Sequence, residues 1–328
     1  MPLIFAITGS IATDHLMRFG GKFTDSLVAD KLDHVSLSFL VDDLQIRRGG
    51  VAANISFGMG KLGLRPILVG AVGTDFVDYR SWLERHGVDC ESIYTSTQQH
   101  TARFVCTTDI AQNQIASFYP GAMSESAQIE LGPILERLGT VDYVFVGPND
   151  PAAMLRHTDE AKFRKIPFIA DPSQQLARME GPEIKKLIDG AAFLFTNEYE
   201  SSLIKKKCGY TREDLVERVG TLITTLGAKG ARVEQKDTAT IEVVCPNEKE
   251  KVDPTGVGDA FRAGFMAGMS WGVGMEISAQ IGSLLATYTI ETVGTQEYAF
   301  ETKEFLDRFA QTYGDENSEK LSKVFVSA

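Results

Sequence analysis

Cysteine is scarce and unpaired in this chain of 328 residues: Cys90, Cys106, Cys208 and Cys245 form no CxxC pair and no matched spacing. That argues against a disulfide framework and reads as the reduced thiols of a cytoplasmic protein. The five histidines are scattered, with no HExxH and no zinc-ligand spacing, so a structural or hydrolytic zinc centre is not expected. No run of roughly 18 apolar residues exists to span a membrane. The apolar start, MPLIFAITGS, lacks a basic leader and is about half the length of a signal-peptide core. Residues 3–8 read instead as a first buried strand. Positive charge is in deficit, 33 Lys and Arg against 44 Asp and Glu, for a net charge of −11. Nucleic acid and anionic membrane are therefore disfavoured as partners. The chain also lacks a Walker A loop, and Gly256 and Gly258 lack the third glycine of a dinucleotide fingerprint. A phosphate site here has to be built locally, from backbone amides and a few cations.

What is present is an ordinary globular composition, 43% hydrophobic and 23% charged, over a length that allows about two domains. PLIFAIT, PILVGAVG, DYVFVG, PFIADP, AAFLFTN and TLITTLG are apolar throughout, as strands covered on both faces should be. Helical patterns lie between them, at 51–62, 75–86, 126–138, 151–164 and 198–207. The C-terminal third reads as helices at 259–271, 275–291, 302–312 and 317–326. This alternation predicts an α/β fold with a doubly wound, mostly parallel sheet flanked by helices. Two regions, 34–47 and 101–119, alternate polar and apolar residues instead, which predicts a small half-exposed antiparallel sheet projecting from the core. In the first, Leu37, Phe39 and Val41 share a face. Pairing across a homodimer and packing onto the protein's own core both account for that.

The stretch DPTGVGDAFRAGF, residues 253–265, sets a carboxylate behind two glycines at the start of a helix. Asp259 there is either a helix cap or a base beside a bound phosphate. A cap needs neither the glycines nor Thr255. A phosphoryl transferase needs both parts: amides of Gly256, Val257, Gly258 and Asp259 as an anion hole, and Asp259 to accept a hydroxyl proton.

These residues resemble the C-terminal signature of the ribokinase-like (PfkB) carbohydrate kinases. Arg48-Gly49-Gly50-Val51-Ala52-Ala53-Asn54 is similar to that family's N-terminal glycine-glycine-asparagine signature. The resemblance implies ATP with magnesium, a core formed by residues 1–9, 51–96 and 124–328, and a β lid formed by 10–50 and 97–123. It implies that Asn197, Thr225, Gly227 and Gly230 serve ATP, and that Glu200 organises Mg2+ through water. It assigns Asp14, Gly50 and Asn54 to a sugar's hydroxyls. It also implies K+ near Asp253, Thr255 and the 290–297 loop, although Pro254 and Val257 depart from the usual signature there.

Within the family the resemblance runs to bacterial adenosine kinases, through GSIATDHLMRF, HTARF, ASFYPGAMSE, ADPSQQLAR and GTQEY among other stretches. A nucleoside offers a flat base and a cis-diol. Phe104 and Phe118 are placed to stack on the base, Gln174 and Gln175 to read its edge, and Ser10 with Asp14 to hold the ribose. Arg178 lies in the same strip. The expected reaction is transfer of the γ-phosphate of ATP to the 5′-hydroxyl of adenosine, with a kinase for a free sugar and a non-catalytic nucleoside-binding regulator as alternatives.

Overall fold

The structure, a computed structural model, describes residues 2–26 and 38–325. Its strands are β1 (Phe5–Thr8), β2 (Ala12–Phe19), β3 (Val41–Gly49), β4 (Ile67–Val69), β5 (Ala71–Gly73), β6 (Tyr94–Ser96) and β7 (Ala102–Thr108), followed by β8 (Gln114–Tyr119), β9 (Tyr143–Val146), β10 (Phe168–Ala170), β11 (Phe193–Asn197), β12 (Thr221–Thr225), β13 (Ala231–Glu234) and β14 (Ile241–Val243).

Eight strands form the central sheet in the order β14-β13-β12-β11-β10-β9-β1-β4, all parallel except β13. Successive residues of one strand enter different cores. Phe5, Ile7 and Phe145 pack with the helices Val51–Lys61, Val257–Trp271 and Met275–Ile290. Ala6, Val144 and Val146 pack with Pro151–Phe163, Gly181–Ile188 and Glu198–Cys208 on the other face. Both faces are therefore apolar, which is why these strands are runs rather than alternations. The Gly- and Ala-rich pair of C-terminal helices packs backbone to backbone: a Cβ on Gly264 would lie 2.7 Å from Gly282 Cα.

The second sheet has the order β3-β2-β7-β8, antiparallel at β2–β3 and β7–β8 and parallel at β2–β7. Its hairpin β7–β8 turns at Asp109–Asn113, where the Asp109 carboxylate accepts from Ala111 N and Asn113 N.

Several elements differ from the sequence expectation. The run 66–73 divides at Gly70, with β4 in the main sheet and β5 paired to β6. A side chain at residue 70 would meet Gly9 O at 2.8 Å, so the chain is free to bend there only as glycine. The helix expected over 126–138 becomes a 3-10 segment, Gly121–Gln128, and a helix, Leu131–Leu138, whose first turn takes Pro133. The strand expected over 34–47 starts only at Val41; residues 34–37, including Leu37, lie outside the described residues. Phe39 belongs to an aromatic trio with Phe19 and Phe23, at centroid distances of 5.0 and 5.2 Å. β2, one of the two inner strands of the second sheet, has no clean polar–apolar alternation, so periodicity does not predict it.

Candidate active site

The strand order reverses beside β1, which neighbours β4 on one side and β9 on the other. A crevice opens at such a point, beyond the carboxyl ends of the strands. Just past β1, Ser10 N donates to Pro148 O at 2.9 Å. Ser10 Oγ accepts from Val51 N at 3.0 Å, which fastens the first turn of the helix Val51–Lys61 to the floor of the crevice. Gly50 precedes that helix at φ 93°, and a Cβ there would lie 2.6 Å from Ser10 O.

The second sheet supplies one wall. Its register places Arg47, Asp14, Phe104 and Phe118 side by side in a single row across β3, β2, β7 and β8. Asp14 is therefore a strand residue rather than a loop cap. Burial raises its pKa to about 6; Arg47 opposes that rise and Asp253 adds to it. Phe104 is half-buried and Phe118 exposed. With Ser10, Gly50, Asn54 and Asp259, the last three of this row line a cavity of about 480 Å³. The same sheet face continues outward into a larger hollow of about 730 Å³ that shares Phe104 and Thr255.

The turn 253–259 separates this cavity from a second one of about 370 Å³. Thr255, Gly256 and Asp259 face the first, whereas Pro254, Val257 and Gly258 face the second. Gly256 caps the helix Val257–Trp271 in the left-handed region, φ 75°, and a Cβ there would lie 2.8 Å from Thr295 Cγ2. No side chain caps this helix, so its first N–H groups keep their donors for an anion.

Asp259 sits in the first turn of that helix, half-buried, with Oδ2 accepting from Asn54 Nδ2 at 2.8 Å. Burial raises its pKa to about 7. Arg262 and Asn54 pull it down, and Asp171 and Glu200 push it up. A carboxyl tuned to that range can accept a proton near neutral pH. Arg262, one turn on, was not anticipated. It is 6% exposed and pairs with Asp171, 1% exposed, through Nη2–Oδ1 at 2.8 Å and Nε–Oδ2 at 2.5 Å. A Cβ on Gly258 would lie 2.8 Å from Arg262 Nη1, so the glycine makes room for the guanidinium. The signal was a charged residue inside an otherwise small, apolar helix.

The second cavity has the lining expected of a nucleotide site in part. Thr225, Gly227 and Gly230 contribute, joined by Phe261, Ala286 and Cys245, which sequence reasoning missed. Asn197 and Glu200 line neither cavity. They close a reciprocal cap on the helix Glu198–Cys208: Glu200 N donates to Asn197 Oδ1 and Asn197 N to Glu200 Oε2, both at 2.8 Å. Asn197 stands opposite Thr225 in the sheet register. Glu200 Oε1 lies 3.4 Å from Ser173 Oγ, whose one proton has a nearer acceptor in Gln174 Oε1, and Ser173 has the strained φ of 45°.

The two glutamines are unlike. Gln175 is buried, with Nε2 donating to Asn149 O at 2.8 Å, which leaves its carbonyl for a ligand. Gln174 is exposed and accepts from Ser173 Oγ at 2.7 Å. Both, and Arg178, line the first cavity.

Magnesium fits a single water-mediated carboxylate such as Glu200, because the ion takes most of its ligands from water and phosphate. No cluster of three metal-ligating side chains occurs among the described residues. The site implied for potassium fits poorly. Asp253 already accepts from Thr255 N at 2.9 Å and Gly294 N at 3.0 Å, and the Arg47 guanidinium stands 3.7 Å from it.

Two cavities meeting at an amide-lined turn with a carboxylate between them have the layout of a phosphotransferase with an alcohol acceptor. Residues 15–303 match the model of the pfkB family of carbohydrate kinases, and the chain belongs to that family of ATP-dependent kinases. The nucleoside kinase of Methanothermobacter thermautotrophicus is 30% identical over 88% of this chain and 92% of its own. The ribokinase of Bacillus subtilis is 27% identical over 82% and 90%. A solved structure of the Burkholderia thailandensis nucleoside kinase with inosine superposes with a TM-score of 0.82 at 31% identity, over 95% of this chain and 97% of that one.

Proposed function

We propose that this protein is a purine-nucleoside kinase that transfers the γ-phosphate of ATP to the 5′-hydroxyl of adenosine, giving AMP and ADP. The observation that carries the reading is the lid row: a carboxylate for a diol, Asp14, and two aromatic faces, Phe104 and Phe118, stand beside one another over the cavity that contains Asp259. A free sugar has no flat face to set against two rings; a base does, and such stacking contributes roughly 1–3 kcal/mol per base. Gln175 keeps its carbonyl and one amide N–H: the carbonyl accepts from the N6 amino group of adenosine or from N1–H of inosine, and the N–H donates to N1 of adenosine or O6 of inosine. Inosine is therefore the second acceptor, in keeping with the ligand of the Burkholderia structure.

In this reading Ser10, Asp14, Gly50 and Asn54 hold the ribose. Its 5′-hydroxyl lies between Asp259 and the phosphate, and Asp259 takes the proton as the new P–O bond forms. The amides of Gly256, Val257, Gly258 and Asp259 carry the charge on the transferred group. ATP lies against Thr225, Gly227 and Gly230, with Asn197 next to them. Glu200 is the residue that would hold magnesium through water, and the ion would supply charge neutralisation on the phosphates. Arg47 takes the place of a monovalent cation beside Asp253. The test is an acceptor panel read as ADP release: adenosine and inosine support turnover at least tenfold faster than ribose or fructose. Preference for a free sugar would discard the nucleoside reading.

A homodimer formed through the lid belongs to the same proposal. The sheet face opposite Asp14 leaves Leu44, Ile46 and Ile115 about half exposed or more, at 52%, 61% and 49%. Apolar residues on an open sheet of this kind are suited to covering by a second copy. Light scattering at micromolar concentration is expected to give twice the chain mass, and a monomer would remove the idea.

A further inference from the structure

Behind Asp259 lies a chain of buried polar groups of which the reaction as described uses only Asn54. Gln296 is 1% exposed, Tyr79 and Thr295 5% each, and Asn54 6%. Their hydrogen bonds run from Gly49, at the end of β3, to the base. Tyr79 OH donates to Gly49 O at 2.9 Å. Gln296 Nε2 donates to Tyr79 OH at 2.6 Å and to Asn54 Oδ1 at 2.9 Å. Asn54 Nδ2 then donates to Asp259 Oδ2 at 2.8 Å.

Donor and acceptor counting fixes every orientation in this series. A backbone carbonyl accepts only, so Tyr79 spends its one proton on Gly49 O. Its oxygen must then be an acceptor, and the Gln296 atom facing it must be nitrogen. The second hydrogen of that nitrogen goes to Asn54, so the Asn54 atom facing Gln296 must be oxygen. The other end of the Asn54 amide is thereby nitrogen, and it presents N–H to Asp259. Thr295 Oγ1 lies 2.9 Å from Asn54 Oδ1 and 3.0 Å from Arg48 O, and its one proton is shared between these two acceptors. Gln296 Oε1 is left buried without a partner, the cost of holding its amide this way round. A carboxylate accepts that N–H more strongly than the carbonyl oxygen of a protonated carboxyl does. Polarisation that starts at Gly49 therefore favours the ionised base.

We propose that Gln296 and Tyr79 are positioning residues for the phosphoryl transfer: by fixing the Asn54 amide they hold Asp259 ionised and oriented, and they tie the base to the end of β3 at Gly49. The proposal rests on the kinase reading above. The other groups facing Asp259 are Arg262 on its own helix, Asp171 after β10, Glu200 on the helix Glu198–Cys208 and the Tyr298 hydroxyl. None of them hydrogen-bonds Gln296, whose partners are Tyr79 and Asn54.

The experiment compares wild type with Gln296→Leu and Tyr79→Phe in two readouts. The first is the pH dependence of kcat with adenosine or inosine. In Gln296→Leu the Asn54 amide is free to turn its oxygen to Asp259, so the acid limb is expected to move up by at least one pH unit, with turnover at pH 6.5 falling tenfold or more and that at pH 9 within threefold of wild type. Tyr79→Phe, which removes a single oxygen, is expected to move the limb the same way by less and serves where the leucine variant does not fold. The second readout is the carboxyl 13C titration of Asp259, identified by its loss in Asp259→Asn, which needs no turnover. An upward shift in the variants supports the relay. An unchanged titration, or a loss of kcat equal at every pH, would overturn it even where the protein turns over nucleosides normally. Absence of turnover in wild type would instead count against the kinase reading and leave the titration to decide the relay.

Discussion

Arg262→Leu removes the one cation that, among the described residues, is buried beneath the 253–259 turn. Its partner, Asp171, is 1% exposed and would keep a charge with no counter-ion. Breaking a buried pair from one side typically costs 3–5 kcal/mol, because the remaining charge is stranded away from water. A chain of 328 residues unfolds with an entropy of about 0.7 kcal/mol/K, so the expected fall in melting temperature is roughly 4–7 °C. Arg262 also lowers the pKa of Asp259, so the base should ionise at a higher pH in the variant. Differential scanning calorimetry tests the first effect and the acid limb of kcat the second. Arg262→Leu with Asp171→Leu removes both charges and should recover most of the stability but not the activity at neutral pH. A single variant that melts within 1 °C of wild type would refute the argument, as would a double variant no more stable than the single.

Two further outcomes follow from the electrostatics of the site. Activity should be the same within twofold in KCl and in tetramethylammonium chloride at equal ionic strength, because Arg47 stands where a monovalent cation would neutralise Asp253; fivefold stimulation by K+ would contradict this. Asp259→Asn should raise the melting temperature at pH 8 and leave it unchanged at pH 4. The sign follows from linkage: an acid whose folded pKa, about 7, lies above its unfolded value binds its proton more tightly when folded, so stability falls as pH rises between the two. An unchanged melting temperature at pH 8 would mean that Asp259 carries no such penalty.

How much of this was legible depended on whether a residue acts through its neighbours in the chain or across it. The apolar runs and the DPTGVGDAF turn are local patterns, so the parallel sheet, the uncapped helix and Asp259 could be read directly. The row Arg47–Asp14–Phe104–Phe118 could not be assembled from periodicity, because its register joins strands distant in the chain, and β2 was not recognised as a strand. Arg262 and Asp171 stand 91 residues apart, and Asn54 and Gln296 242 apart. Single residues of this kind reveal their roles only through the groups they meet. The Asn197–Glu200 pair shows the converse: the spacing that suggested a metal-organising motif also makes a reciprocal helix cap, and the two uses are compatible because the cap leaves Glu200 Oε1 to other partners.

The central claim is that Asp259, at the meeting of the two cavities, is the base for phosphoryl transfer. It is tested most directly by measuring nucleoside binding and turnover together in Asp259→Asn. The account predicts an adenosine or inosine Kd within threefold of wild type and a kcat lower by about 10²–10⁴, the range a general base contributes. Turnover near wild type with binding intact would contradict it.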